Sequence, residues 1–154
     1  MNDKTYTAAI VIFCFIALVF PHARAQAASD SIRWYTYDEG VALGTKENKK
    51  VYLHFWAEWC TFCIKMEKET FSNASVIAYL NKHFISIKVN TDKEKELAGR
   101  FGIRGVPDNW FIDENSEEIS NRSGHIPVKI FLPILKYIHT DSYKQMTFGK
   151  FLLK

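Results

Sequence analysis

Apolar and polar positions follow two periods along this chain. Residues 51–56 form a near-continuous β-forming run, as expected of a buried central strand. Residues 84–89 read as another strand, and Trp110-Phe111-Ile112 as a third. Asp113-Glu114-Asn115-Ser116 reads as a turn, and residues 118–122 as a returning strand. Residues 32–37 look like a short strand or extended entry. Between these runs the period lengthens. Asp38 is expected to cap a helix to about Asn48, with Lys49-Lys50 at its end. A helix-like run covers residues 64–71. Ser72-Asn73 should break it before a second helical piece over 74–83, with Val76, Ile77 and Leu80 on one side. Residues 93–101 predict a charged amphipathic helix stopped at Gly102. Pro127 should open a last helix with Ile130, Phe131, Ile134, Leu135 and Ile138 at helical spacing. Helix–strand alternation followed by a hairpin implies an α/β domain with a mixed central sheet flanked by helices. Beyond it, Tyr143, Met146, Phe148, Phe151 and Leu152 give the C-terminal segment an apolar side that should dock on the domain.

The N-terminal apolar run has another character. It is uninterrupted over residues 8–20, short of the ~17–25 residues of a membrane-spanning helix. Lys4 precedes it, and Pro21 and the A-x-A pattern Ala23-Arg24-Ala25 follow. This predicts an export signal over 1–25, cleaved near Ala25, and one domain over 26–154. Asp3 offsets Lys4, so an uncleaved anchor is the alternative, and this segment is the chain's only implied contact with a membrane. Cys14 lies within the run as an apolar filler. Removing the leader lowers the net charge of +3 by one, too close to neutral to imply nucleic acid. An exported location points to a periplasmic or other oxidising compartment.

Of the three cysteines, two remain in the expected mature chain, as Cys60-Thr61-Phe62-Cys63 between the strand 51–56 and the helix 64–71. At the first turn of a helix, unpaired N–H groups and the positive end of the dipole favour an anion. A thiolate is the nucleophilic form of cysteine. Cys63, three residues on, shares the helix face and is within reach of a disulfide to Cys60. Such a pair opens and closes without rebuilding the fold, as thiol–disulfide exchange requires. Zinc would want two further ligands at finger-like spacing. A c-type haem would want His where Ile64 stands. An inert structural disulfide is the plain alternative, though so small a loop stabilises little. No cofactor or metal set is implied.

Two separated motifs then carry a resemblance. Phe55-Trp56-Ala57-Glu58-Trp59-Cys60-x-x-Cys63 resembles the thioredoxin active-site signature, and Gly102-Ile103-Arg104-Gly105-Val106-Pro107 resembles the thioredoxin cis-proline loop. Residues 63–72 are also similar to the C-terminal periplasmic domain of the DsbD-type thiol:disulfide interchange protein. The resemblance implies a thioredoxin fold over the whole mature chain. It implies Cys60 as attacking thiolate, Cys63 as resolving thiol and Pro107 as a cis residue against the disulfide. Val106 backbone would pair with an extended partner. Trp59 and Phe62 would form an apolar docking rim or merely shield the disulfide. Glu67, four residues after Cys63, would help set the cysteine pKa or stand as a solvated helix residue. Protein thiols and disulfides are the implied partners, with a membrane thiol relay as electron donor.

The chain departs from that pattern twice. His54 stands where relatives carry a buried Asp, so it is either a proton acceptor for Cys63 or a packed histidine bonded to backbone. Asp108 follows the proline where Thr is usual, and a carboxylate there would oppose a nearby thiolate. His83, His125 and His139 are expected at the surface. Thr61-Phe62 places no cation between the cysteines, which favours a reductant over a strong oxidant. The rival readings are an oxidase or isomerase, and a copper- or haem-handling module using both thiolates with His54 or His125.

Overall fold

The computed structural model describes residues 30–154. The expected leader, its cleavage point and Cys14 lie outside the described residues. Among these residues five strands form one sheet in the order β1-β3-β2-β4-β5. β1 (Trp34–Tyr35), β3 (Phe84–Asn90) and β2 (Lys50–Trp56) are parallel, while β4 (Asp108–Ile112) is antiparallel to both β2 and β5 (Glu118–Ser123). Among the described residues the α-helices are α1 (Tyr37–Glu47), α2 (Thr61–Glu69), α3 (Ala74–His83), α4 (Lys95–Arg100), α5 (Val128–His139) and α6 (Phe148–Leu152).

The continuous apolar run in β2 hides an alternation, because both sheet faces are covered. Tyr52 faces a core built with Met66 of α2, Leu80 of α3 and Phe131 and Leu135 of α5. Val51, Leu53 and Phe55 face a second core with Leu97 of α4 and Val41 and Leu43 of α1. His54 follows Tyr52, as its ring contacts with Tyr52 and Phe71 show. The close approach of α1 to β3 requires Gly40, where an added Cβ would lie 2.3 Å from Cγ1 of Ile87.

Local chemistry sets several boundaries differently from expectation. The cap of α1 is Thr36 rather than Asp38. Its N–H and hydroxyl both donate to the Glu39 carboxylate, which ties the residue before the helix to its first turn as a lone Asp38 does not. Asn48 closes α1 in the left-handed region, with φ 52°. Asn73 breaks the chain by capping α3 through the N–H groups of Ser75 and Val76. The side chain of Asn90 takes the N–H groups of Asp92 and Lys93 into a turn, so α4 starts at Lys95. Pro127 caps α5 from outside, and Pro133 lies within that helix.

The tail docks. Tyr137 donates to the carbonyl of Met146 at 2.6 Å, and its ring lies 5.4 Å from Phe148 and 5.3 Å from Phe151. Lys50, at the start of β2, pairs with Glu114 and Asp141, each at 3.2 Å. Burial opposes the Lys50 charge, but these two carboxylates outweigh it and hold its pKa above the usual value. The histidines depart from expectation. His83 and His139 are half-buried with ring centroids 4.0 Å apart, and Tyr79 bonds His139 at 3.0 Å. His125 turns toward Glu69 at 3.6 Å. Helix ends at α3 and α5 meet one another, so two residues read as terminal and solvated form a contact.

Candidate active site

β2 ends at Trp56, and the chain turns directly into α2 with Cys60 as its cap. The N–H groups of Cys63 and Ile64 both reach the carbonyl of Cys60 at 3.0 Å. The N–H of Cys63 also donates to Sγ of Cys60 at 3.1 Å. A sulfur that becomes anionic here is therefore met by a backbone donor and the helix N-terminus. Cys60 and Cys63 are disulfide-bonded, with Cα atoms 5.2 Å apart. Both are buried, packed with Ala57, Trp56 and Val106.

Around this buried pair lies an exposed apolar rim. Trp59 is 68% exposed, Phe62 61% and Ile64 45%. The indole N–H of Trp59 donates to Asp92 at 2.9 Å. The Val106–Pro107 bond is cis. Beside it, Arg104, Gly105, Val106, Pro107, Asp108 and Trp110 line much of a groove of about 400 Å³. Asp108 is buried, and Asn121 reaches its Oδ1 at 3.5 Å.

His54 is fully buried, its ring centroid 5.0 Å from that of Phe71 just beyond α2. It bonds to a side chain, not to backbone: Nδ1 lies 2.9 Å from Oδ1 of Asn109. Burial pushes its pKa down from 6.5 to about 3; the bond to Asn109 partly opposes this and the nearby Lys88 charge adds to it. The ring is neutral at physiological pH. Its Nε2 is buried and has no partner among the described residues.

Glu67 is ion-paired with Lys88, whose ammonium also lies 4.5 Å from the Trp56 ring centroid. Glu58 pairs with Lys93 at 3.2 Å across an exposed surface. Glu67 and Glu58 thus carry their own counter-charges. Asn109, Lys88 and Asp92 do not stand out in the sequence. Asn109 looks like a misplaced polar residue within β4, and only its register opposite His54 reveals a partner. Among the described residues, no group of three or more His, Cys, Asp or Glu side chains is placed to hold a metal ion.

Comparison with known proteins agrees with this geometry. Residues 37–139 match a family described as a thioredoxin-like domain. The chain is 35% identical over 75 residues to the thiol:disulfide interchange protein DsbD of Photorhabdus laumondii, covering 47% of this chain but 13% of that one. It is 34% identical over 91 residues to the chloroplastic thioredoxin-like protein CITRX of Solanum tuberosum, covering 58% of this chain and 50% of that one. The chain therefore spans half or less of these two relatives. A thioredoxin from Thermus thermophilus superposes with a TM-score of 0.64 at 30% identity, covering 70% of this chain and 87% of that one.

Proposed function

The chain belongs to the thioredoxin-like domain family and carries a thiol–disulfide oxidoreductase site at Cys60 and Cys63, and we propose that it works as an exported reductant of protein disulfides. The observation that carries this reading is the placement of the pair. One sulfur caps α2 against backbone donors, and the second lies one helical turn inside, buried beneath an exposed apolar rim.

In the reducing direction, the Cys60 thiolate attacks one sulfur of a client disulfide and expels the other as a thiolate. Cys60 is then joined to the client. Cys63 loses its proton and attacks Sγ of Cys60, the Cys60–Cys63 bond forms, and the second client sulfur leaves as a thiolate that takes up a proton. Trp59, Phe62 and the backbone at Val106 beside Pro107 hold the client strand. His54 takes the Cys63 proton at Nε2. A ring so weakly basic cannot store that proton, so transfer accompanies S–S bond formation and the proton ends on the departing client thiolate. Glu67, coupled to Lys88, tunes the local field. A membrane thiol relay returns electrons to the pair, consistent with the DsbD relatives. The segment 1–25 directs export and is removed near Ala25.

Equilibration of the full chain against glutathione, read from Trp59 fluorescence, tests the direction. A potential nearer thioredoxin at about −270 mV than DsbA at about −120 mV is expected. A value more positive than about −170 mV would promote the oxidase or isomerase reading. Trapping on Cys63→Ser, whose Cys60 mixed disulfide cannot resolve, should recover oxidised clients. N-terminal sequencing of the exported protein should begin just after Ala25.

A further inference from the structure

The side chain of Asn109 has a single orientation that its surroundings permit. Its Nδ2 donates to the carbonyls of Arg122 at 3.0 Å and Gly124 at 3.2 Å. Carbonyls only accept, so the amide nitrogen must face them and Oδ1 must face the opposite way. There Oδ1 accepts from the hydroxyl of Tyr52 at 2.6 Å and meets Nδ1 of His54 at 2.9 Å. An amide oxygen cannot donate, so Nδ1 of His54 must carry the hydrogen. In a neutral ring the lone pair is then at Nε2, the nitrogen that is buried without a partner among the described residues.

A buried acceptor left open in a packed core costs stability, and a native fold that keeps one points to a catalytic role for it. The ring lies on the sheet face that carries Phe71 and Met66, and Cys63 is buried in the first turn of α2, disulfide-bonded to Cys60. A leucine at position 109 would leave both nitrogens free to hold the hydrogen, and Nε2–H could not accept from a thiol.

Resting on the proton role given above to His54, we propose that Asn109 is a positioning residue, which fixes His54 as the Nδ1–H tautomer so that Nε2 stays open to the Cys63 proton. Tyr52 shares the same oxygen and holds the network together. The strand pair β4–β5 thereby acts on the resolving step without touching either sulfur, because the two carbonyls that orient Asn109 belong to β5 and the residue just beyond it.

Nitrogen spectra of the His54 ring in the full chain report the tautomer directly. The expected wild-type result is Nδ1–H with bare Nε2 throughout pH 5–8. Asn109→Leu should lose that single tautomer and slow thiol release from a Cys60 mixed disulfide by about tenfold, one hydrogen bond's worth. Attack by Cys60 should change little. Asn109→Asp keeps an oxygen opposite Nδ1 but sets its other oxygen against the carbonyls of Arg122 and Gly124, so it should lose stability yet retain the tautomer and recover much of the resolving rate, with His54 protonating at higher pH. A wild-type ring protonated at Nε2 overturns the role of Asn109, and that measurement needs no variant to fold. An Asn109→Leu ring with the wild-type tautomer, or a changed tautomer with an unchanged resolving rate, overturns it too. His54→Ala separates the two readings: a wild-type resolving rate there, with the ring spectra as expected, overturns the proton role of His54 while the tautomer assignment to Asn109 stands.

Discussion

Glu67 is ion-paired with Lys88, and Lys88 stands opposite His54 in the parallel register of β2 and β3. The pair joins the outer side of α2 to the strand beside the buried imidazole. It also places a cation where a protonated His54 would be opposed, which agrees with the low pKa of that ring.

Breaking this ion pair should move the redox potential. Glu67→Gln leaves Lys88 uncompensated, which favours the Cys60 thiolate and makes the protein less reducing. The pair is partly exposed, so about 0.5–1 kcal/mol is at stake, or about 10–20 mV for a two-electron couple. Lys88→Met should shift the potential the opposite way. Glutathione equilibria of both variants measure this, and equal potentials for all three proteins would show that Glu67 does not reach the sulfurs.

Acid should weaken the fold through His54. Its pKa is about 3 in the native state and about 6.5 when unfolded, so between these values the unfolded chain binds the extra proton. Stability contributed by the neutral ring is complete above about pH 6.5 and is lost as pH falls toward 3. At about 1.4 kcal/mol per unit, the full loss is of order 4–5 kcal/mol. His83 and His139, also lowered by burial, add smaller losses of the same sign. Denaturant unfolding of wild type and His54→Leu from pH 7 to 4 should show a shallower pH slope for the variant. Parallel slopes would contradict the burial account.

Removing the tail should lower stability without lowering activity. Deletion of 143–154 removes the ring contacts of Phe148 and Phe151 on Tyr137 and the bond to the Met146 carbonyl. Half-buried aromatic contacts of this kind amount to about 1–3 kcal/mol in total, or roughly 5 °C in Tm. Asp141 marks the tail's approach to Lys50 at the start of β2, whereas the cysteines follow its end. Disulfide reductase rates should therefore be retained. An unchanged melting curve would mean that the docked tail adds no net stability.

Gly40→Ala should be destabilising despite the higher helix propensity of alanine. The new methyl would lie 2.3 Å and 2.5 Å from side-chain carbons of Ile87, so the buried Ile87 side chain or the α1–β3 packing must shift. Overpacking of this kind costs about 1–3 kcal/mol. A methyl added at Gly99 would meet only open space, so Gly99→Ala is the matched control. Denaturation midpoints of the two variants should diverge in opposite directions from wild type.

Much of this protein was legible in its sequence because the signals are local. Period and capping residues set α2, α3, β2 and β3 to within a few residues, since helix and strand patterning depends on near neighbours. The C-x-x-C pair at a strand–helix junction, with a Val-Pro loop downstream, identified the thiol chemistry because backbone donors at a helix start act on whatever residue stands there. The partners of the ionisable groups were decided elsewhere. His54 could be read as a proton acceptor or a packed ring, but its bond to Asn109 comes from the antiparallel register of β2 and β4, across a sequence separation of 55. The ion pair of Glu67 with Lys88 and the meeting of His83 with His139 likewise join elements distant in the chain. A side chain's own type sets what charge it can carry, whereas its protonation depends on which groups the fold packs against it and how much water it excludes. The sequence therefore determined the reacting sulfurs, and the tertiary structure alone decided the charges and hydrogen-bond partners packed around them.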